Sequence, residues 1–149
     1  KEGLKENCKD NYEVIAEVDG MEAPEAQSNV ESVLSAHPDA NVFVGVGAGA
    51  MIGSNEALLQ KYGKGKIPEN VGVITTDVTE QQLNSLKAGN EAVRSIVGFE
   101  GSNEDTAKAC MKMYERILSG EKFEGDDHNV YRTIKPITTD NIDEILKGM

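Results

Sequence analysis

The sequence is poor in the residues that most simply identify a chemical role. Its 149 residues include two cysteines, two histidines and no tryptophan. Cys8 and Cys110 form no Cys-x-x-Cys motif, and His37 and His128 lie in different segments without the spacing of metal ligands. We therefore expect no metal and no cofactor. Cys110 lies in a helical pattern, where we expect a small core residue, and a Cys8–Cys110 disulfide has little support.

Long apolar runs and basic charge are also scarce. No run of about 18 or more apolar residues occurs, so the sequence predicts no membrane-spanning helix. Aspartate and glutamate number 26 against 15 lysines and arginines, and the net charge of −11 makes nucleic acid a poor partner. The composition, 38% hydrophobic and 28% charged, is otherwise typical of a globular domain with its own core.

Catalytic motifs are absent as well. The sequence contains no Gly-x-Ser-x-Gly elbow, no phosphate-binding loop with its Lys-Ser/Thr pair, and no histidine near a nucleophile. The acidic run at residues 124–127 lacks the regular oxygen-ligand spacing of a calcium loop and predicts a solvated loop. We therefore predict that the chain is not an enzyme.

What the sequence does contain is a regular alternation of short apolar runs and helical patterns. The predicted strands are Glu13–Val18, Asn41–Val46, Val71–Thr75 and Arg94–Val97, with an extended segment at Asn129–Ile137. The predicted helices are Pro24–Ala36, Ala50–Tyr62, Thr79–Ala88, a long helix from Ser102 or Asn103 to Leu118, and Asp140–Leu146. Thr79 and Gln82 are predicted to form a capping box, Gly89 to end that helix, and Ser102 or Asn103 to cap the next one. This order predicts an α/β fold, a three-layer parallel sheet with helices on both faces.

The candidate functional residues follow from that topology. Ligands of open α/β sheets bind outside the carboxyl ends of the strands. The residues that matter most are therefore those just after each predicted strand: Asp19–Glu22, Gly47–Gly49, Thr76–Val78 and Phe99–Asn103.

Three stretches of the sequence carry a family resemblance. They are AHPD followed by NVFVGVGAGAMIGSNEAL, then PENVGVITTD, and the ending ILSGEKF followed by PITTDNIDEIL. In this order they resemble sugar-binding proteins of the ribose and galactose type, the periplasmic-binding-protein type I family of ABC-transporter solute receptors. The resemblance implies a two-lobed receptor that closes on a small sugar-like solute by hinge motion. Residues 1–149 would form its carboxy-terminal lobe.

The resemblance also implies an arrangement for the longer protein. Lys1–Tyr12 is predicted to be the tail of an amphipathic helix rather than a signal peptide, with the amino-terminal lobe preceding it. The helix at residues 102–120 would pack on that lobe, and in this chain alone its apolar stripe would favour a dimer or exchange. The implied partner is an ABC permease, and the implied location is extracytoplasmic, with a lipid anchor in the full-length protein.

Two strand ends hold the residues that the resemblance assigns to ligand binding most directly. Asp77 matches an aspartate that accepts hydrogen bonds from two adjacent sugar hydroxyls, and capping of the next helix is the alternative. Gly47 and Ala48 stand where the family usually has polar side chains. Their backbone N–H groups would then approach the ligand, and a tight turn between strand and helix is the alternative.

Met21 and Glu100 complete the implied site. Met21 matches a position where the family often has an aromatic ring that stacks on the sugar, and it would supply apolar contact without a flat face; loop packing is the alternative. Glu100 lies near the family's hinge-side polar residue, often a glutamine, and a surface or capping role is the alternative. No catalytic or metal-binding residue is implied.

Other classes of function share parts of this pattern. The phrase Ile67–Val73 also occurs in effector domains of lactose-repressor-type transcriptional regulators, whereas the closing pattern at Thr139–Asp143 favours transport receptors. An extracellular sensor domain is a third interpretation. A flavodoxin-like enzyme is the last, and it lacks any catalytic constellation.

Overall fold

The fold of the chain is an alternation of helices and strands around one sheet. The computed structural model describes residues 2–9 and 11–147. In chain order the elements are α1 Glu2–Cys8, α2 Ala23–Ala36, β1 Val42–Gly45, α3 Ala48–Tyr62, β2 Gly72–Thr76, α4 Glu80–Ala88, β3 Val93–Phe99, α5 Asn103–Leu118, β4 Ile134–Ile137 and α6 Ile142–Lys147. None of the described helices is long and apolar enough to cross a membrane.

The four strands form one mixed sheet in the order β1-β2-β3-β4. β1, β2 and β3 run parallel, so that Val44 lies beside Ile74, which lies beside Ser95. β4 runs antiparallel to β3, with Ile137 opposite Ile96. The predicted α/β class with a parallel sheet is confirmed, and the segment predicted only as extended contributes the antiparallel edge strand.

The core lies between one face of the sheet and the helices α3 and α4. On this face Val73 and Ile96 are fully buried, and they pack with Leu58 of α3 and Leu83 of α4, which are also fully buried. Burying such side chains supplies most of the free energy that favours folding. The core therefore holds the carboxyl ends of β1, β2 and β3 in fixed relative positions.

Helix α2 packs chiefly against α3, and small residues allow the two helices to approach closely. Gly49, Gly53 and Ala57 are spaced by four residues and so share one face of α3. A Cβ atom on Gly53 would overlap the carbonyl oxygen of Ala23 and lie 2.6 Å from the Cβ of Ala26. Only glycine at position 53 accommodates this approach of the two backbones.

The opposite face of the sheet is largely exposed. Val42 and Val44 of β1, Phe99 of β3 and Ile134 of β4 are each more than half exposed. Helix α5 is amphipathic, but none of its residues is buried. The described residues therefore do not form the helical layer that was predicted to cover this second face.

The predicted strand Glu13–Val18 is wrong. Residues 12–20 have no regular hydrogen-bonded structure, and Val14, Ile15 and Val18 are exposed. A strand needs a neighbour to satisfy its backbone groups, and no described strand lies beyond β1 in the sheet. A β-prone sequence alone was not sufficient to form a strand.

The predicted core position of Cys110 is also wrong. Cys110 is exposed on α5, Cys8 is partly exposed, and both are free thiols. The pattern around Cys110 correctly indicates a helix, but this helix places none of its side chains in the core. Periodicity identifies an apolar stripe without showing what covers it.

Candidate functional site

The carboxyl ends of β1 and β2 place two predicted site residues side by side. Gly47 follows β1 and immediately precedes α3, and Asp77 follows β2. The Oδ2 atom of Asp77 lies 3.9 Å from the point that a Cβ atom on Gly47 would occupy. The parallel pairing of the two strands is the cause of this proximity, because it brings their carboxyl ends to the same edge.

Gly47 shapes the start of α3. Its φ of 97° lies in the region that favours glycine, and its N–H donates to Oγ1 of Thr76 at 3.0 Å. The first helical hydrogen bond runs from the N–H of Met51 to the carbonyl of Gly47 at 3.3 Å. The N–H groups of Ala48 and of the next two residues come before Met51 in the helix and have no carbonyl of an earlier helical turn to donate to. They are therefore helix-terminal donors at this edge of the sheet.

Asp77 has an unusual backbone conformation. Its φ of 66° places it in the left-handed region, which among the described non-glycine residues only Lys9 shares. Aspartate tolerates this region better than most residues, although the conformation still costs about 1–2 kcal/mol. The carboxylate is exposed at the edge of the sheet. Neighbouring residues must hold this backbone in place.

A buried glutamine supports the loop that carries Asp77. Gln82 is 0% exposed, and its Oε1 accepts hydrogen bonds from the N–H and Oγ1 of Thr79, both at 2.9 Å. Its Nε2 donates to the carbonyl oxygen of Thr76 at 3.4 Å, and Oγ1 of Thr75 donates to the same oxygen at 2.9 Å. The capping box predicted at Thr79 and Gln82 is confirmed. The additional hydrogen bond from Gln82 to Thr76 could not be predicted from the spacing of the residues.

Met21 reaches the site through its backbone. A Cβ atom on Gly49 would overlap the carbonyl oxygen of Met21, so the loop before α2 contacts the first turn of α3. The Met21 side chain is 86% exposed. The structure therefore places the Met21 backbone against Gly49, in the first turn of α3, and leaves the Met21 side chain outside the core.

Glu100 lies further out than the other predicted residues. Val97 pairs with Thr76 across the sheet, so Glu100 is three residues beyond that point, roughly 10 Å along the chain direction. Its N–H donates to the carbonyl of Thr133 at 2.9 Å, and its carbonyl accepts from Nη2 of Arg132 at 2.6 Å. Its exposed side chain is thus carried on the segment that links β3 to α5 and is tied to the chain entering β4.

A cavity lies away from these residues, in the groove between α3 and α4. It has a volume of 640 Å³, and Glu91 is among its lining residues. The carboxylate of Glu91 accepts from Nζ of Lys64 at 2.7 Å and Nδ2 of Asn55 at 3.0 Å, while Oδ1 of Asn55 accepts from the N–H of Ala92 at 2.9 Å. The hydrogen bond from Lys64 is the main cause that lowers the pKa of Glu91. These groups satisfy one another, so they serve to hold α3 against the start of β3.

Comparison with known proteins bears on the family and the fold of the chain. Residues 1–122 match the family model described as a periplasmic binding protein domain. No curated protein matches the chain in sequence.

Solved structures share the fold. The 5-methylthioribose transporter solute binding protein from Thermotoga lettingae, in complex with 5-methylthioribose, has a TM-score of 0.76 and 17% identity over 99% of this chain. A periplasmic ribose ABC transporter from Conexibacter woesei has a TM-score of 0.71 and 19% identity over 99% of this chain. A protein from Mycobacterium smegmatis in complex with β-D-fucofuranose has a TM-score of 0.75 and 18% identity over 98% of this chain. The chain spans only 44%, 46% and 44% of those three chains.

Proposed function

Because the chain belongs to the periplasmic binding protein domain family, we propose that it is the carboxy-terminal lobe of a two-lobed receptor for a small sugar-like solute. The observation that carries this proposal is the position of the Asp77 carboxylate beside Gly47 at the start of α3. A carboxylate accepts hydrogen bonds from adjacent hydroxyls, and the N–H groups of Ala48 and its neighbours donate to hydroxyl oxygens. A neutral polyol offers both kinds of group.

The other two residues extend this contact surface. Met21 would supply a soft apolar contact at one side of the ligand, since its side chain is exposed beside the first turn of α3. Glu100 would reach a ligand from the far side, near the connection to a second lobe. Two structural neighbours are solved with 5-methylthioribose and β-D-fucofuranose, which are sugars and carry hydroxyl groups that a carboxylate and N–H groups would bind.

The mechanism that we propose is binding and closure, without chemistry. A small ligand is well buried only when both lobes contact it, so hinge closure would follow binding and shift the population toward a closed form. In this account the chain is not an enzyme. The closed receptor would deliver its solute to an ABC permease, from an extracytoplasmic position and with a lipid anchor in the full-length protein.

Binding by this chain alone can be tested directly. We expect 5-methylthioribose and ribose to shift the amide NMR signals of Gly47, Ala48 and Asp77. The expected dissociation constants are on the order of millimolar, which corresponds to a binding free energy of about −4 kcal/mol. The affinity is expected to be weak because one lobe contacts only one side of the ligand. Absence of a response to either sugar or to other neutral polyols, or a response confined to residues away from the strand ends, would contradict the proposal.

Helix α5 supports the existence of a second lobe as partner. Met111, Tyr114, Ile117 and Leu118 are all more than half exposed on this one helix. An apolar surface of this kind marks a contact with another protein surface. We propose that the amino-terminal lobe covers α5 in the complete receptor.

This proposal predicts how the chain behaves without that lobe. We expect concentration-dependent self-association, measured by sedimentation velocity, and we expect Met111→Lys with Leu118→Lys to reduce it strongly. Lys112→Glu, a charge change on the same helix outside this apolar set, is the control and should leave association unchanged. A wild-type chain that stays monomeric at high concentration would count against an uncovered apolar surface on α5.

A further inference from the structure

We propose that Thr76 is a positioning residue that couples the two ligand-contacting loops of the strand-end site. Its hydroxyl holds the loop that starts α3, and its carbonyl is held by buried groups beneath the loop that carries Asp77. The inference rests on the proposed function of that site. It assigns a role to Thr76 and Gln82 that neither the capping pattern nor the strand pattern indicates.

The first half of the coupling is the hydrogen bond to Gly47. The N–H of Gly47 donates to Oγ1 of Thr76 at 3.0 Å, across a sequence separation of 29 residues. Gly47 has a φ of 97°, and its N–H finds its acceptor in a side chain of the neighbouring strand. Gly47 is partly buried, so loss of this acceptor leaves a donor that water only partly satisfies.

The second half of the coupling is a pair of hydrogen bonds to the carbonyl oxygen of Thr76. That oxygen accepts from Oγ1 of Thr75 at 2.9 Å and from Nε2 of Gln82 at 3.4 Å, and both donors belong to side chains with at most 1% exposure. Gln82 also bonds the N–H and hydroxyl of Thr79. The backbone from Thr76 to Thr79 is therefore fixed from the core side.

Asp77 lies inside this fixed segment, directly after Thr76. Its left-handed backbone persists because the bonds on either side hold it there. The Thr76 carbonyl is bonded to the core side chains and the Thr76 hydroxyl is bonded to Gly47. The Asp77 carboxylate therefore keeps its separation from the first turn of α3. A ligand that must meet both groups then finds them in position before it binds.

Two substitutions separate positioning from packing. Thr76→Val keeps the branched shape but removes the acceptor, whereas Thr76→Ser keeps the hydroxyl and removes the methyl group. If Thr76 positions the loops, the valine variant is impaired and the serine variant resembles wild type. If Thr76 only packs, the order is reversed, because valine keeps the methyl group and serine does not.

The primary readout is the amide of Gly47, which needs no ligand. We expect hydrogen-exchange protection of this amide in wild type and Thr76→Ser, and its loss in Thr76→Val together with a changed amide shift at Asp77. With 5-methylthioribose as the probe, we expect about tenfold weaker binding by Thr76→Val and near wild-type binding by Thr76→Ser. Urea unfolding of each variant confirms that it is folded.

The outcomes separate this inference from the proposed function. If wild type binds 5-methylthioribose and Thr76→Val binds it equally well with Gly47 still protected, the positioning role is overturned and the proposed function stands. If wild type binds no sugar, the proposed function and the positioning role both fall. Loss of Gly47 protection in Thr76→Val would then still identify the bond as structural.

Discussion

Replacing Gly53 with alanine should lower the free energy of unfolding by about 1–3 kcal/mol, because the new methyl group has no space between α2 and α3. Its Cβ would overlap the carbonyl oxygen of Ala23 and lie 2.6 Å from the backbone nitrogen of Gln27. These are backbone atoms of α2, so relief requires movement of the whole helix. In an unhindered helix the same change would instead stabilise by up to about 1 kcal/mol.

The sign of the effect is therefore informative. Urea unfolding followed by circular dichroism measures it, with Gly3→Ala in α1 as the matched control. A Cβ atom on Gly3 meets no atom within 4 Å, so the control should be neutral or slightly stabilising. If the Gly53→Ala variant had the same free energy of unfolding as wild type, α2 and α3 would not approach each other closely enough to exclude a methyl group.

Replacing Asp77 with alanine should abolish measurable sugar binding by this chain. Hydrogen bonds to charged groups contribute about 1.5–3 kcal/mol each, so loss of two would weaken a millimolar complex by roughly a hundredfold or more. The measurement is the amide NMR titration with 5-methylthioribose. Asp77→Asn keeps an oxygen acceptor and tolerates the left-handed backbone, so we expect intermediate binding from it.

Asp77→Gly serves as the control for strain. Glycine adopts the left-handed region without penalty, so this variant should be at least as stable as Asp77→Ala while binding no better. Equal loss of binding in both variants, with different stabilities, would assign the effect to the missing carboxylate. Unchanged binding in Asp77→Ala would instead leave Asp77 as an exposed loop residue and remove the main support for the proposed site.

Local patterns predicted the parts of the fold that depend on a few neighbouring residues. Thr79 with Gln82 correctly marked the start of α4, and Gly89 its end, where the glycine has a φ of 66°. The cap of α5 was predicted to be Ser102 or Asn103, and in the structure it is Ser102, whose side chain accepts from the N–H of Asp105. Capping of this kind is completed within three or four residues, so the sequence contains all of its parts.

Predictions that required a partner elsewhere in the molecule were less reliable. Glu13–Val18 has the composition of a strand but no neighbour, and Cys110 has a helical context but no covering layer. For the candidate site, Gly47 and Asp77 were correctly placed just after strands, and the parallel pairing of those strands brings the two residues together. The role of Gly49 in contact with the loop at Met21 was not predicted, because it depends on how closely two helices pack.

The sequence by itself determined the order of helices and strands from α2 onward, the caps of α4 and α5, and the presence of Gly47, Ala48 and Asp77 after strand ends. Only the tertiary structure decided that Thr76 bonds to Gly47, that Gly53 lies against α2, and that α5 remains exposed. The physical reason is the range of the interactions. Periodicity and capping act over a few residues, whereas these contacts join segments that are brought together only when the elements pack.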